Sequence, residues 1–343
     1  MRAYVLNQPA PVTARPLQLV ELPDPTPGVG EVRIAVSVCA ACRTDLHVVE
    51  GELPQRSPSI IPGHQVVGHV EALGAGVDRL AIGQRVGVAW LHGTCGICRH
   101  CLARRENLCE RATFTGYTQP GGFAERMLAR ADFVYPLPDE LTDAEAAPLL
   151  CAGIIGYRAL CQTGLDTWKG ARLGIYGFGA AGHIAIQLAR ARGAEVYVAT
   201  REPVHQRLAE ELLACWVGGT FDRPPQPLDA AIVFAPAGEI VPMALSHLDR
   251  GATLVLGGIH MSDIPAMPYS LLYGERAVRS VANNTREDGF AFLSEAAAIG
   301  VHTEVEHFGF EAVNDALIAL KGRGVRGAAL VHIAPRHQNE PRT

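Results

Sequence analysis

Four cysteines in the stretch Gly93–Cys109, GTCGICRHCLARRENLC, constrain this chain more than any other feature. Cys95, Cys98, Cys101 and Cys109 form a C-x2-C-x2-C-x7-C series, and four soft thiolates on one short loop can close a tetrahedral shell around zinc with no position left for water. Such a shell holds structure and performs no chemistry. The chain must then fold so that four side chains of one loop meet at a point. Four of the nine cysteines lie in this stretch, which argues against unrelated free thiols. An iron-sulfur ferredoxin motif also begins C-x2-C-x2-C, but it continues x3-C-P and this loop does not. The segment 93–109 therefore reads as a structural zinc lobe.

The rest of the composition says what that lobe is attached to. With 343 residues, 48% of them apolar, the chain can bury cores in about two domains of roughly 150 residues each. An odd number of cysteines with C-x2-C spacing points to reduced thiols and metal rather than a disulfide framework. A formal charge of -5 and a pI near 6.2 offer no field for nucleic acid, so a zinc-finger DNA binder is disfavoured. The N-terminus has no apolar run after a basic start, and no stretch reads as the ~18 apolar residues of a membrane span. A cytoplasmic location is expected.

From Met1 to about Tyr135, short β-branched runs broken by glycine and proline, such as 31–38, 66–72 and 85–89, predict an all-β barrel. The pattern changes near Ala144. Residues 146–160 are helical in composition, and after Gly170 strands (172–176, 195–199, 229–234, 253–256) alternate with helices (181–192, 204–214, 242–248). That alternation predicts a doubly wound parallel sheet. The tail from about Arg286 holds two more helical patterns and a strand at 328–333 whose partner the pattern does not identify.

Gly177-Phe-Gly-Ala-Ala-Gly182 falls between the first of these strands and the helix that follows. In that context G-x-G-x-x-G has a mechanism. Gly177 makes the tight turn, Gly179 lets a pyrophosphate approach the backbone, and Gly182 lets helix and strand pack closely. A site for the ribose of NAD would end the next strand in Asp or Glu. Here the strand runs into Thr200-Arg201, and a guanidinium suits the 2′-phosphate of NADP through charge-assisted bonds. NADP is expected in preference to NAD.

Three further stretches carry candidate ligands for a second metal: Cys39-Ala-Ala-Cys-Arg-Thr-Asp-Leu-His47, His64 between glycines in PGHQVVG, and Cys151 in LLC. Two Cys and one His leave a fourth zinc position for water or a substrate oxygen. Together with the four-cysteine loop, the motifs CRTDLH (42–47), GHQVVG (63–68), APLLCAG (147–153) and the glycine turn resemble, in order and spacing, the zinc-dependent alcohol dehydrogenases of the medium-chain dehydrogenase/reductase superfamily. The resemblance covers essentially the whole chain. It implies an α/β plus β architecture, with a GroES-like β-barrel catalytic domain (1–152 and 286–343) and an inserted Rossmann dinucleotide-binding domain (153–285).

By that likeness Cys42, His64 and Cys151 bind a catalytic zinc, and Cys39 is a non-ligand. Two zincs per chain are implied. Thr44 and His47 match a proton relay, Arg43 a contact to the pyrophosphate, and Asp45 a carboxylate orienting His64. The implied reaction is hydride transfer between an alcohol or aldehyde and NAD(P), with zinc polarising the substrate oxygen. Two departures stand out. Gln65 occupies the place of a usual Glu, which bears on ligand exchange, and Ile155 that of a frequent Thr. A polyol or formaldehyde-type dehydrogenase on the same scaffold is the nearest rival, disfavoured by Cys151 where sorbitol-type relatives use Glu. An inactive binding relative would have no reason to keep the constellation. The family forms dimers or tetramers, so a homo-oligomer is expected. Leu53, Trp90 and Ile155 suggest an apolar substrate.

Overall fold

The computed structural model describes residues 1–322, 325 and 327–334. It divides into two compact units, one holding 1–151 with 285–293 and the stretch from 303, the other 152–284 with 294–302.

The first unit is built around the 11-residue strand Glu31–Ala41. Val32, Ile34, Val36 and Val38 face inward at period two, the spacing of one face of a strand. Antiparallel Gln65–Leu73 lies along one side. Arg126–Arg130 pairs the first half of the other side, and Ala328–His332 pairs the second half. The order Val305–Gly309, Ala328–His332, Glu31–Ala41, Gln65–Leu73, Arg85–Val88, Val134–Pro136, with Arg126–Arg130 on the central strand, makes a seven-stranded sheet. The last strand of the chain thus finds two partners, parallel Val305–Gly309 and antiparallel Glu31–Ala41. Such distant pairings leave no local signal, which is why the pattern could not name them.

One consequence of the central pairing governs the site. Because Ala40 stands opposite Gln65, the end of one strand and the start of its neighbour lie side by side. Cys42 and His64 are therefore delivered to the same edge of the sheet. The residue between strand and turn, Gly63, has φ +94°, and a Cβ there would come within 2.8 Å of the Phe123 nitrogen and 2.9 Å of the Cys39 sulfur. Only glycine fits that approach.

The expected helix over 146–160 is divided. Asp143–Pro148 starts from a capping box between Thr142 and Glu145, then comes a π-helical turn, Leu149–Gly153, then Ile154–Gln162. Pro148 supplies no N–H to the regular ladder, and a π turn at this point places Cys151 on an irregular stretch of backbone. Residues 143–162 are also apolar and long enough to pass for a membrane span by composition, yet 61% of the tested window is buried inside the fold.

In the second unit a six-stranded parallel sheet runs Trp216–Gly218, Glu195–Ala199, Arg172–Tyr176, Leu228–Val233, Leu248–Leu256, Ala277–Ser280. Numbered along the chain this is the order 3-2-1-4-5-6 of a dinucleotide-binding sheet, with the strand order reversing at Arg172–Tyr176. The two outer strands, of three and four residues, were too short to be read from the sequence.

Candidate active site

The helix Arg43–Val49 was not foreseen in the β-rich half, and it organises the site. Cys42 is its N-cap: the Cys42 sulfur accepts the Thr44 N–H at 3.3 Å, while Asp45 Oδ2 accepts the Cys42 N–H at 2.9 Å. This is a capping box with a thiol in the usual hydroxyl position. The other oxygen of Asp45 accepts the Gly63 N–H at 3.2 Å and His64 Nδ1–H at 3.0 Å. One buried carboxylate, 2% exposed, thus fixes the helix start, the turn before His64 and the imidazole itself. With Nδ1 donating, Nε2 of His64 faces the Cys42 sulfur at 3.4 Å, and the sulfurs of Cys42 and Cys151 are 3.9 Å apart.

Those spacings can be tested against a metal. A tetrahedral zinc with Zn–S near ~2.3 Å and Zn–N near ~2.05 Å sets its sulfurs about 3.8 Å apart and sulfur to nitrogen about 3.5 Å. Cys42, His64 and Cys151 fit. The electrostatics agree: burial pulls the His64 imidazolium down, but the charges and hydrogen bonds of Asp45 and Cys42 outweigh it and hold it up at about 10, so a metal bound here would take the place of the Nε2 proton and leave the Nδ1–H ring. The Cys42 thiol is held well below its ordinary range, first by the hydrogen bond from Cys151 and, against burial, by His64. The pocket between these three atoms stabilises positive charge, which is what a bound dication needs.

Cys95, Cys98, Cys101 and Cys109 form the second convergent group, their sulfurs all within 4.8 Å of one another. Cys95 and Cys101 are 3.9 Å apart and Cys98 and Cys101 3.5 Å, again tetrahedral edges. Backbone N–H groups serve the thiolates: that of Ile97 leads in lowering Cys95 to about 6, and that of Cys101 leads in lowering Cys98. The Cys95 N–H itself donates to the Cys109 sulfur at 3.4 Å. Cys39 belongs to neither group. It is fully buried, its thiol donates to the Ala40 carbonyl, and burial pushes it well up.

Around the first group, His47 lies one helical turn beyond Thr44 and its Nδ1 bonds the carboxylate of Glu52. Glu52 was missed in the sequence because it lies past the helix end, at no recognisable spacing. Gln65 is 1% exposed and donates its amide to the Ala40 carbonyl at 3.2 Å. Trp90 sets its ring edge-on to His64 at 5.1 Å between centroids, and Phe114 and Tyr117 stack on it at 5.2 and 5.8 Å. Leu53 packs, half-buried, against the core of this unit. Arg43 is exposed.

In the second unit the three glycines of the turn are distinguishable by what surrounds them. Gly177 has φ +88°, and a Cβ on it would meet the Ala235 nitrogen at 2.8 Å. At Gly182 a Cβ would meet the Gly177 carbonyl oxygen at 3.0 Å, the close helix-strand approach. At Gly179 it would meet nothing within 4 Å, so the backbone is open at the N-terminus of the helix Ala180–Ala191. An anion can approach the backbone there. Thr200 is buried at the end of Glu195–Ala199, its N–H bonded to the Gly218 carbonyl. Arg201 is 85% exposed and ion-paired to Glu202 at 2.8 Å. Ile155 is half-buried in the helix Ile154–Gln162.

Comparison with known proteins agrees with this geometry. Residues 28–139 match the alcohol dehydrogenase GroES-like domain. Over 339 residues, 97% of each chain, the protein is 44% identical to a probable alcohol dehydrogenase, AdhA, of Mycobacterium tuberculosis. The chain belongs to the zinc-dependent alcohol dehydrogenases of the medium-chain dehydrogenase/reductase superfamily. An alcohol dehydrogenase from Geobacillus stearothermophilus is 35% identical over 97% of this chain and 100% of its own. Among solved structures, a cinnamyl alcohol dehydrogenase from Sorghum bicolor superposes with a TM-score of 0.88 at 28% identity, covering 99% of both chains. The GroES-like and Rossmann architecture of this alcohol dehydrogenase is thereby shown, as is its class of reaction, hydride transfer between alcohol or aldehyde and NAD(P).

Proposed function

We propose that Cys42, His64 and Cys151 hold the zinc at which the alcohol reacts, and that Cys95, Cys98, Cys101 and Cys109 hold a second zinc with a structural role. The observation that carries this is the convergence of two thiols and one imidazole nitrogen at tetrahedral spacing, with the imidazole's other nitrogen committed to Asp45. Zinc in this set supplies a Lewis acid for the alcohol or carbonyl oxygen, and a nicotinamide dinucleotide accepts or returns the hydride. The chain's own groups do the rest. Asp45 keeps His64 in the Nδ1–H tautomer. Thr44 and His47, one helical turn apart, carry the alcohol proton outward, and Glu52, 51% exposed, holds the His47 ring for its release to solvent.

The cofactor contacts are Gly177, Gly179 and Gly182 at the pyrophosphate, with Arg43 as a further cation, and Thr200 and Arg201 at the adenosine ribose. The absence of a carboxylate at the tip of Glu195–Ala199 and the exposed guanidinium of Arg201 support a preference for NADP. The substrate is an apolar primary or secondary alcohol, or the matching aldehyde or ketone. Trp90, backed by Phe114 and Tyr117 and abutting His64, supports an aryl or allylic one. The strand Ala277–Ser280 ends the sheet of the second unit, near exposed Tyr269 and Tyr273, 74% and 71% accessible, which supports a homodimer or homotetramer of a cytoplasmic enzyme.

The test is a rate measurement from the absorbance of the reduced nicotinamide, with a panel of aliphatic and aryl alcohols, each with NAD and NADP, alongside a zinc count. About two zincs per chain, chelator-sensitive turnover and none for Cys42→Ala are expected. Wild-type turnover by Cys42→Ala sinks the metal assignment. A preference for NAD retained in Arg201→Gln sinks the NADP assignment and leaves the reaction standing.

A further inference from the structure

His183 follows the last glycine of the turn and lies inside the helix Ala180–Ala191. Its side chain is 1% exposed, an unusual degree of burial for an imidazole. Nδ1 lies 3.2 Å from the Gly179 carbonyl oxygen, and Nε2 has no hydrogen-bond partner among the described residues. Burial leads in pushing the group down to about 4, with His302 and His205 adding to that against bonds to the Gly179 and Ala180 carbonyls. The ring is neutral under working conditions, so one nitrogen donates and the other carries a lone pair. A carbonyl can only accept. Nδ1 is therefore the N–H, and Nε2 is a buried acceptor left unpaired.

That arrangement costs stability, since an unpaired buried acceptor is worse than an apolar group of the same shape. A leucine would serve the core better. The hydrogen bond that Nδ1 makes at 3.2 Å is to Gly179, whose carbonyl also accepts the His183 backbone N–H at 3.1 Å. Two donors on one oxygen hold the Gly179–Ala180 peptide plane. Because that peptide is planar and trans, holding its C=O along the helix holds the Ala180 N–H in the opposite sense, out of the helix N-terminus. This is the open side of the turn, where a Cβ on Gly179 would touch nothing.

We propose that His183 is a positioning residue for the dinucleotide: through Nδ1–H it locks the Gly179–Ala180 peptide so that the Ala180 N–H is aimed at the cofactor's diphosphate before it binds. The inference rests on the reading of this turn as the dinucleotide site. It separates two properties that ordinary core residues couple, because loss of the imidazole weakens cofactor binding without weakening the fold.

The experiment uses the full-length protein and its His183→Leu, His183→Asn and His183→Gln variants, titrated with NADPH and NADH by fluorescence and melted without cofactor. Asn places an amide N–H where Nδ1 stands, one bond from Cγ, and Gln places it one bond further out. The expected result is dinucleotide binding about tenfold weaker in His183→Leu, equivalent to ~1.4 kcal/mol, with a thermal midpoint no lower than wild type. His183→Asn should recover most of the affinity and His183→Gln should not. Long-range 1H–15N correlations, assigned from the signals missing in the variants, should show the Nδ1–H tautomer in the wild type. Wild-type affinity in His183→Leu overturns the proposal. So does loss of stability and affinity together without rescue by Asn, or an Nε2–H tautomer. If the wild-type protein itself binds neither dinucleotide, the site reading falls and takes the inference with it.

Discussion

Replacing Asp45 by Asn removes one charge and puts an NH2 in place of one carboxylate oxygen at almost unchanged shape, yet the geometry leaves the amide no good orientation. Turned with its oxygen toward Gly63 and His64, it keeps those two bonds but points its NH2 at the Cys42 N–H, which is now a donor facing a donor across 2.9 Å. Turned the other way it caps Cys42 but sets NH2 against the Gly63 N–H and against His64 Nδ1. His64 can then pair only by giving up its Nδ1 proton, which moves to Nε2 and removes the lone pair that faces Cys42 and Cys151. Either way one buried donor goes unpaired, at about 1–3 kcal/mol, in a site 2% exposed. The metal should feel it as well, since outer partners of this kind are worth ~10–100-fold in affinity. Competition between the protein and a graded zinc chelator, followed by metal analysis, measures the affinity of the Cys42–His64–Cys151 site; the four-cysteine site is the internal control. The expected outcome is selective loss of one zinc from Asp45→Asn, with a thermal midpoint lowered by a few degrees per kcal/mol. Equal retention of both zincs and an unchanged midpoint would refute the claim that Asp45 sets the tautomer.

Three other perturbations probe separate parts of the molecule. Cys98→Ala should drop one zinc and make the 93–109 loop sensitive to protease, while the Cys42–His64–Cys151 site keeps its metal; limited proteolysis with metal analysis decides it. Glu106 accepts three bonds from Arg286, at 2.8 to 2.9 Å, and these hold its carboxyl below the usual range although burial opposes them. A depressed folded value means stability that is present above about pH 4.3 and lost as pH falls through the folded value. Glu106→Gln should therefore cost on the order of 1–2 kcal/mol at neutral pH, reduced by the partial exposure of Arg286, and shrink toward no effect in acid; chemical denaturation across that range reads it. Gln65→Glu sets a carboxylate against the Ala40 carbonyl that the amide now serves, so it should lower the thermal midpoint at neutral pH and recover in acid as the carboxyl protonates and donates.

Much of this was legible from residue types at fixed spacing. The four-cysteine loop and the three glycines are each read within one short stretch of chain, and the structure gives Gly177, Gly179 and Gly182 three different surroundings that match their three expected uses. Asp45 beside His64 and the separation of Cys39 from the ligands came only through family likeness, since nothing in C-A-A-C says which thiol turns inward. What stayed illegible depends on distant pairing. Cys42 and His64 come together because Ala40 pairs with Gln65, and the antiparallel register between the last strand and Glu31–Ala41 joins residues roughly 290 positions apart. The helix Arg43–Val49 was hidden because its cap is a cysteine, a residue absent from the usual list of N-caps. Glu52 and His183 were hidden for opposite reasons: one lies beyond a helix end, and the other looks like an ordinary interruption of an apolar face.

The histidines show how a fold with few charges inside can still dictate protonation. At His64, His183 and His47 an oxygen sits within bonding reach of Nδ1: Asp45, the Gly179 carbonyl and Glu52. Where that oxygen is a pure acceptor it captures the proton of a neutral ring, and the remaining nitrogen becomes a directed lone pair. At His64 the lone pair points at two sulfurs and is useful as a ligand. At His183 it points at nothing, so its expense has to be explained by the bond on the other side. The same local device therefore yields a metal ligand in one unit and a brace for the cofactor turn in the other, and what distinguishes them is only what the fold places opposite Nε2. Swapping that surrounding should swap the behaviour: a hydrogen-bond donor introduced within reach of His183 Nε2 should raise the melting point of the second unit without changing dinucleotide affinity. A gain in affinity instead would mean that Nε2, and not the bond to Gly179, is the working end of the ring.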